Sequence, residues 1–192
     1  MATTTVLDTF RKRSALLEGH FKLSSGLHST GYLQCALVLQ HPGDAEAMGR
    51  ALAERLAGLG ATVVLSPALG GLIIGHEVGR ALGVRAIFAE RVEGVLHLRR
   101  GFSLSPDDRV VVIEDVVTTG LSTRETVAAA TAAGAKVVGA GSIIDRSGGQ
   151  ADLGVPFHAL AALSLPTYQP DASPLCAAGV AVVKPGSRTG KS

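Results

Sequence analysis

The chain has 192 residues, of which 46% are hydrophobic and 4% aromatic, and its formal net charge is +2. This length suits a single domain with a substantial core, and the hydrophobic content excludes a disordered chain. The basic residues are dispersed rather than clustered, so neither a nucleic acid nor a membrane surface is an expected partner.

The N-terminal segment predicts a helix followed by two extended pieces. Its first residues lack the apolar stretch of a signal peptide, and no later run approaches the roughly 20 residues of a membrane span, so a cytoplasmic protein is expected. Apolar residues at helical spacing predict a helix from Thr4 to Leu17. The sequence FKLSSGLHSTGYLQ, residues 21–34, predicts two short strands around a turn. A second helix is predicted after Pro42, with Asp44 as its N-cap.

From residue 61 onward, apolar strands alternate with helices. The strand-like runs are apolar throughout and cover residues 61–67, 84–90, 109–117 and 135–145. Such strands are typical of a parallel sheet whose two faces are both covered by helices. The alternation with helical segments predicts an α/β fold with a doubly wound, mostly parallel sheet. The polar segment 91–109 is too long for a simple connection and is predicted to be a flexible lid.

The two cysteines do not have the spacing of metal ligands. Cys35 and Cys176 lie far apart in the sequence and are interpreted as reduced thiols. The histidines outside the lid are interpreted as structural or surface side chains, namely His20, His28, His41, His76 and His158.

Charged residues follow the predicted strands at the points where the strands end. Glu90-Arg91, Glu114-Asp115 and Asp145-Arg146 each follow an apolar run. Because the carboxyl ends of parallel strands open into one crevice, these residues predict a single ligand site.

The turn after Glu114-Asp115 predicts what this site binds. The sequence TTGLST, residues 118–123, places backbone N–H groups and hydroxyls at a helix N-terminus, an arrangement that favours phosphate. Ionised carboxylates only accept hydrogen bonds, so the two acids suit a vicinal diol, and a sugar phosphate satisfies both halves. An alternative stays open, in which the acids are a solvated strand end and Ser122 and Thr123 are simple N-caps.

The sequence VVVIEDVVTTG, residues 110–120, resembles the signature of type I phosphoribosyltransferases, which bind 5-phosphoribosyl-1-pyrophosphate (PRPP). The resemblance implies that the two acids hold the ribose hydroxyls and that the turn holds the 5′-phosphate. The implied PRPP site consists of Glu114, Asp115, Val116, Val117, Thr118, Thr119, Gly120, Leu121, Ser122 and Thr123. The implied pyrophosphate loop consists of Ala68, Leu69, Gly70 and Gly71.

Residues 21–34 and the sequence IDRSGG, residues 144–149, resemble the base-binding segments of orotate phosphoribosyltransferases, and the similarity spans almost the whole chain. It implies orotate contacts from Ser24, Tyr32, Leu33, Thr118 and Arg146. It implies a catalytic set of Arg91, His97, Arg99, Arg100 and Asp115. It also implies Mg²⁺ bound mainly through PRPP, and a homodimer whose lid reaches the neighbouring site. The single domain would comprise a small hood at about 1–42, a core at 43–165 and an extension at 166–192.

The sequence departs from this family at two positions and leaves other interpretations open. Ser24 and Gly70 stand where many members carry lysine. The chain would alternatively be a phosphoribosyltransferase for another base, or a PRPP-sensing regulator without turnover. Tyr32 and Leu33 also suit a plain core role, and Arg99-Arg100 suits a solvated loop. A dinucleotide-binding oxidoreductase is disfavoured because no glycine-rich fingerprint follows the first strand of the core.

Overall fold

The computed structural model describes residues 1–23 and 26–184, and the predicted orotate contact Ser24 lies outside them, as do residues 185–192 of the predicted extension. The α-helices of the described residues are α1 (Thr3–Lys12), α2 (Cys35–Leu39), α3 (Pro42–Leu56), α4 (Gly71–Leu82), α5 (Leu121–Ala132) and α6 (Pro174–Ala177). The strands are β1 (Leu16–Lys22), β2 (His28–Leu33), β3 (Val63–Pro67), β4 (Arg85–Val92), β5 (Val95–Leu98), β6 (Arg109–Val117), β7 (Lys136–Asp145), β8 (Phe157–Ala162) and β9 (Thr167–Tyr168). None of the helices in these ranges is long and apolar enough to cross a bilayer.

The central sheet confirms the predicted α/β architecture. Its six strands lie in the order β5-β4-β3-β6-β7-β8, and every neighbouring pair is parallel except β4 and β5. Strand β6 shows why its sequence is apolar throughout. Val111 and Ile113 pack into the cluster that contains α1, α3 and α4, whereas Val110 and Val112 pack into the opposite cluster with α5. Both faces of the sheet are therefore covered, as the continuous apolar runs predicted.

A second sheet, in the order β1-β2-β9, brings the two ends of the chain together. The predicted first helix was too long, because α1 ends at Lys12 and Leu16 and Leu17 belong to β1. Both leucines satisfy helical spacing, but pairing with β2 takes them into a strand, with Leu17 opposite Tyr32. The prediction of Asp44 as an N-cap was also wrong, since His41 caps α3 and Pro42 is its first residue. The proposed hood, core and extension boundaries stay a prediction.

The predicted lid is built differently from the loop that the sequence suggested. Strand β4 continues to Val92, and β5 pairs with it in an antiparallel hairpin. Glu93 and Gly94 both have positive φ, at 49° and 89°, which is the backbone of a two-residue type I′ hairpin turn. Residues 99–108 form the connection to β6. Whether this hairpin moves over a ligand stays a prediction.

Candidate active site at the carboxyl edge of the central sheet

The predicted strand ends lie on adjacent strands of the sheet. Pro67 of β3 pairs with Ala89 of β4, and Val117 of β6 pairs with Asp145 of β7. Between β3 and β6 the pairing stops at Leu65 opposite Val112, so the two strands part before the carboxyl edge. The order β4-β3-β6-β7 therefore brings the four predicted strand ends to one edge, with a gap in the middle.

Glu114 is buried rather than solvated. Only 7% of the residue is exposed, and burial together with the neighbouring Asp115 charge raises the pKa of its carboxyl to about 8. The Ser122 hydroxyl donates a hydrogen bond to this carboxyl and opposes the shift. The alternative of a solvated strand end is thus wrong for Glu114, because a solvated carboxyl would keep an ordinary pKa.

Asp115 is half-buried and contacts Val116, Cys35 and Gly70. Its Oδ1 accepts a hydrogen bond of 2.8 Å from the Val116 N–H, and its carboxyl also accepts one from the Cys35 thiol. A Cβ added to Gly70 would lie 2.7 Å from Oδ1, so Asp115 abuts the backbone of the loop before α4. Burial raises the pKa of Asp115, and these two hydrogen bonds, together with one from its own backbone N–H, counteract that increase.

Cys35 is the member of this site that the sequence did not reveal. It is 1% exposed at the start of α2, and burial together with the Asp115 and Glu114 charges raises its pKa well above the usual range. The thiol therefore stays protonated and acts as a hydrogen-bond donor to Asp115. The sequence around Cys35 contains no motif that would have predicted its contact with Asp115.

The turn between β6 and α5 leaves the helix N-terminus without a side-chain cap from its N-cap residue. That residue is Gly120, at φ 76°, where an added Cβ would lie 2.5 Å from Leu153. Leu121 N–H donates to the Thr119 hydroxyl at 3.3 Å, and the side chains of Thr118 and Thr119 are exposed. The alternative that Ser122 or Thr123 caps the helix is wrong, because both follow its first residue.

The loop at residues 68–71 crosses the gap between β3 and β6. Ala68 N–H donates to Ala89 O at 2.8 Å, which fastens the loop to β4. A Cβ on Gly71 would lie 2.7 Å from the Ile113 carbonyl oxygen, so only glycine allows α4 to begin this close to β6. Leu69 is 81% exposed. The loop therefore lies beside Asp115 at the carboxyl edge of the sheet.

Arg146 enters the same region from the end of β7. Its backbone N–H donates to Val117 O at 2.7 Å, and its side chain lies near Tyr32 and Cys35. Burial lowers the pKa of Arg146, and the guanidinium Nε has no hydrogen-bond partner among the described residues. A buried guanidinium N–H without a partner is costly and marks a position where a ligand acceptor would fit.

The two remaining base-contact predictions fall in different environments. Tyr32 is half-buried, with its ring centroid 5.9 Å from that of Phe21. Leu33 is 7% exposed and belongs to the larger core cluster. Both assignments stay predictions.

The predicted lid cations lie on and after the β4–β5 hairpin, and all are exposed. Arg91 forms an ion pair with Glu125 of α5, and Arg100 forms two hydrogen bonds of 2.8 Å with Glu90. His97 and Arg99 make no hydrogen bond or ion pair with a described side chain. Of these four predicted lid residues, Arg91 and Arg100 are paired with carboxylates. The catalytic roles of all four stay predictions.

Comparison with known proteins identifies relatives along almost the entire chain, although no protein-family model matches it. The chain is 52% identical over 188 residues to the orotate phosphoribosyltransferase of Pelotomaculum thermopropionicum, covering 98% of this chain and 99% of that protein. The structure of orotate phosphoribosyltransferase from Aeropyrum pernix has a TM-score of 0.70 at 24% identity, covering 82% of this chain and 93% of that one.

A third likeness concerns a ligand complex. The Mycobacterium tuberculosis H37Rv orotate phosphoribosyltransferase in complex with PRPP has a TM-score of 0.65 at 24% identity, covering 82% of this chain and 95% of that one. The two structures establish the fold, and the curated relative establishes the family. With 52% identity across nearly its full length, the chain belongs to the orotate phosphoribosyltransferase family.

Proposed function

We propose that this chain transfers the 5-phosphoribosyl group from PRPP to orotate at the carboxyl edge of the central sheet. The products are orotidine 5′-monophosphate and pyrophosphate, a step of pyrimidine biosynthesis. The observation that carries the site assignment is the pair of buried Glu114 and half-buried Asp115 beside the N-terminus of α5, whose N-cap residue Gly120 offers no side-chain cap. Acceptors for a diol and donors for a phosphate then lie within ten consecutive residues.

The acids and the turn divide the ribose phosphate between them. Glu114, whose protonated form burial favours in the ligand-free chain, loses its proton when the ribose binds, and both carboxylates then accept hydrogen bonds from the 2′- and 3′-hydroxyls. The N–H groups and hydroxyls of Thr118–Thr123 bind the 5′-phosphate, which the positive end of the α5 dipole also favours. As the anomeric carbon gains positive charge during attack by orotate N1, the two carboxylates stabilise it.

The departing pyrophosphate lies against the loop Ala68–Gly71. The exposed cations of the hairpin, Arg91, Arg99 and Arg100, together with His97, are assigned to its growing negative charge. Two of these cations form ion pairs with Glu90 and Glu125. Closure over PRPP therefore exchanges a carboxylate partner for a phosphate one and keeps water from the reacting carbon.

Arg146 is assigned to orotate. Its side chain carries a buried Nε–H that lacks a partner among the described residues, and the planar guanidinium matches the planar acceptors of the orotate carboxylate and ring. Tyr32, which is close to Arg146, would lie against the ring, with Leu33 behind it and Thr118 at its edge. Ser24 completes the assigned set.

The site suits Mg²⁺ bound mainly through PRPP. Asp115 abuts the loop assigned to pyrophosphate, so two negative groups would meet there without a cation between them. Oxygen ligands of this kind are those that Mg²⁺ prefers, and the ion would neutralise charge on the leaving group when bound. Glu114 and Asp115 would meanwhile orient the ribose.

The assembly we propose is a cytoplasmic homodimer in which the hairpin of one subunit reaches the site of its neighbour. Val92 and Val95 on the hairpin are 37% and 57% exposed, which supports contact with another surface. An apolar cavity of about 540 Å³ lies between β5 and α5 and is lined by residues 94–98 of the hairpin and by Glu125, Ala128, Ala129, Ala132 and Ala133.

An absorbance assay of orotate consumption with PRPP and Mg²⁺ tests the reaction, run in parallel with adenine, hypoxanthine and uracil. Of the four bases, only orotate is expected to be turned over. Turnover with a purine and none with orotate would disprove the base assignment. A difference spectrum of orotate in the presence of the Arg146→Gln variant should show weakened orotate binding with PRPP affinity retained.

A further inference from the structure

Two histidines and a cysteine from three elements converge where the β1–β2 hairpin meets the C-terminal segment. His20 Nε2 lies 2.8 Å from His28 Nδ1, and Cys176 Sγ lies 3.2 Å from His28 Nδ1 and 3.6 Å from His20 Nε2. All three potential ligand atoms are within 4.8 Å of one another, and no other such group of histidine, cysteine and acidic ligands occurs in the described ranges.

The hydrogen bonding of His20 directs a lone pair into this cluster. Its Nδ1 lies 2.7 Å from the Val180 carbonyl oxygen. A carbonyl only accepts hydrogen bonds, so Nδ1 carries the proton and neutral His20 presents an unprotonated Nε2 to His28 and Cys176. Histidines that bind metals are commonly oriented in this way, with the outer ring nitrogen donating to a carbonyl oxygen.

We propose that His20, His28 and Cys176 bind one Zn²⁺ ion and that the ion fastens the C-terminal segment to the β1–β2 hairpin. Two imidazoles and a thiolate form a donor set that suits zinc. The site is independent of the reaction proposed above, because none of its ligands belongs to the residues assigned to PRPP or orotate.

The distances fit a tetrahedral ion after a small adjustment. Zinc bond lengths place two nitrogen ligands about 3.3 Å apart and a nitrogen and a sulfur about 3.6 Å apart. The Cys176–His20 distance of 3.6 Å meets this value. When the ion binds, the two ring nitrogens, at 2.8 Å, need to separate by about 0.5 Å, and Cys176 Sγ and His28 Nδ1, at 3.2 Å, by about 0.4 Å.

The two histidine ligands are buried, whereas the cysteine ligand is exposed. His20 and His28 are 3% and 6% exposed. The ion would therefore have a protein side formed by the imidazoles and an open side at the thiolate, where water completes four-coordination. Binding deprotonates Cys176, whose proton leaves through this open side, and shifts the His28 proton from Nδ1 to Nε2, so that Nδ1 becomes the ligand atom.

The ion would reinforce contacts that already join the two segments. Val183 N–H donates to His20 O, and Lys22 N–H donates to Val183 O, both at 2.8 Å. Strand β9 pairs with β2 through Thr167 and Tyr168. The same hairpin carries Tyr32, so metal binding would limit motion of a segment assigned to the base.

The test uses the full chain, expressed without a histidine tag and stripped of metal by a chelator. Titration with Co²⁺ should give a thiolate-to-metal charge-transfer band that saturates at one equivalent, and Zn²⁺ should abolish the band and raise Tm. Cys176→Ser and His28→Gln should remove the band and weaken Zn²⁺ binding beyond the roughly 10–100-fold effect of losing an outer-shell contact.

His76→Gln is the matched control, because His76 lies on α4 with its side chain 72% exposed. It should bind Co²⁺ like the wild type. Absence of a thiolate band in the wild type, or equal binding by Cys176→Ser, would overturn the proposal. X-ray absorption at the zinc edge of the wild-type chain gives a result that needs no variant to fold. One sulfur neighbour per zinc is expected, and a shell without sulfur would overturn the assignment.

Discussion

The strand-end acids and the hairpin cations differ in burial and in how their charges are balanced. Glu114 and Asp115 are buried or half-buried, and burial raises the pKa of both. Arg91 and Arg100 are exposed, and their charges are balanced by Glu125 and Glu90. The acids are buried without a ligand, at a cost to stability, whereas the cations are paired with carboxylates and would exchange those partners for phosphate in the proposed reaction. In the proposed reaction, the buried acids recognise the ribose and the exposed cations respond to the leaving group.

The largest expected effect is on the free energy of unfolding, which burial of ionised Glu114 lowers. Its pKa is raised from the ordinary value of 4.5 to about 8, so the folded state favours the protonated carboxyl. The free energy of unfolding of the ligand-free chain should be fully maintained below about pH 4.5 and decrease by about 3–5 kcal/mol as the pH rises through 8. Urea unfolding at a series of pH values measures this. Glu114→Gln should flatten the profile, whereas exposed Glu54→Gln should leave it unchanged. An unchanged slope in Glu114→Gln would show that another group titrates.

The next largest effect is catalytic. Asp115→Asn keeps the shape of the side chain but removes a charge next to the reacting ribose, and kcat/KM should fall about 100–1000-fold, as for loss of a preorganised electrostatic contact. The orotate absorbance assay measures the loss, with Asp171→Asn on the C-terminal segment as control. Wild-type affinity for PRPP in Asp115→Asn would contradict the role in diol binding.

Gly70→Ala tests whether the position of Asp115 matters as well as its charge. The added Cβ would lie 2.7 Å from Asp115 Oδ1 and would displace the carboxylate or the loop. Since a displacement of about 1 Å can cost up to about 100-fold in rate, kcat/KM should fall by about 10–100-fold. Gly43→Ala is the matched control, because nothing lies within 4 Å of its added Cβ. Equal activity of the two variants would show that the loop adapts.

The smallest effect is expected at the hairpin. Glu90→Gln removes the partner of Arg100 and leaves the guanidinium available to PRPP. Because exposed ion pairs contribute little, KM for PRPP should decrease by no more than about 5-fold. Glu46→Gln, in an exposed pair with Arg50 on α3, should have no effect on KM. An increase in KM for Glu90→Gln would indicate that the ion pair itself positions Arg100 for catalysis.

The sequence by itself determined the features that depend on neighbours along the chain. The apolar strands and intervening helices follow from local periodicity, and the sugar-phosphate motif lies within residues 110–123. Contiguous residues keep their relation in any fold that places a strand before a helix, so Glu114, Asp115 and the hydroxyl turn were identifiable before the structure.

Only the tertiary structure decided which distant groups meet. Cys35 reaches Asp115, and Cys176 reaches His20 and His28, because sheet order and the return of the C-terminal segment bring them together. Pairing with β2 likewise overrode helical spacing in β1. Such contacts depend on burial and strand register, which are set by the packing of the whole fold. Local sequence patterns therefore do not predict these contacts. For the same reason, only the three-dimensional structure showed the burial that raises the pKa of Glu114.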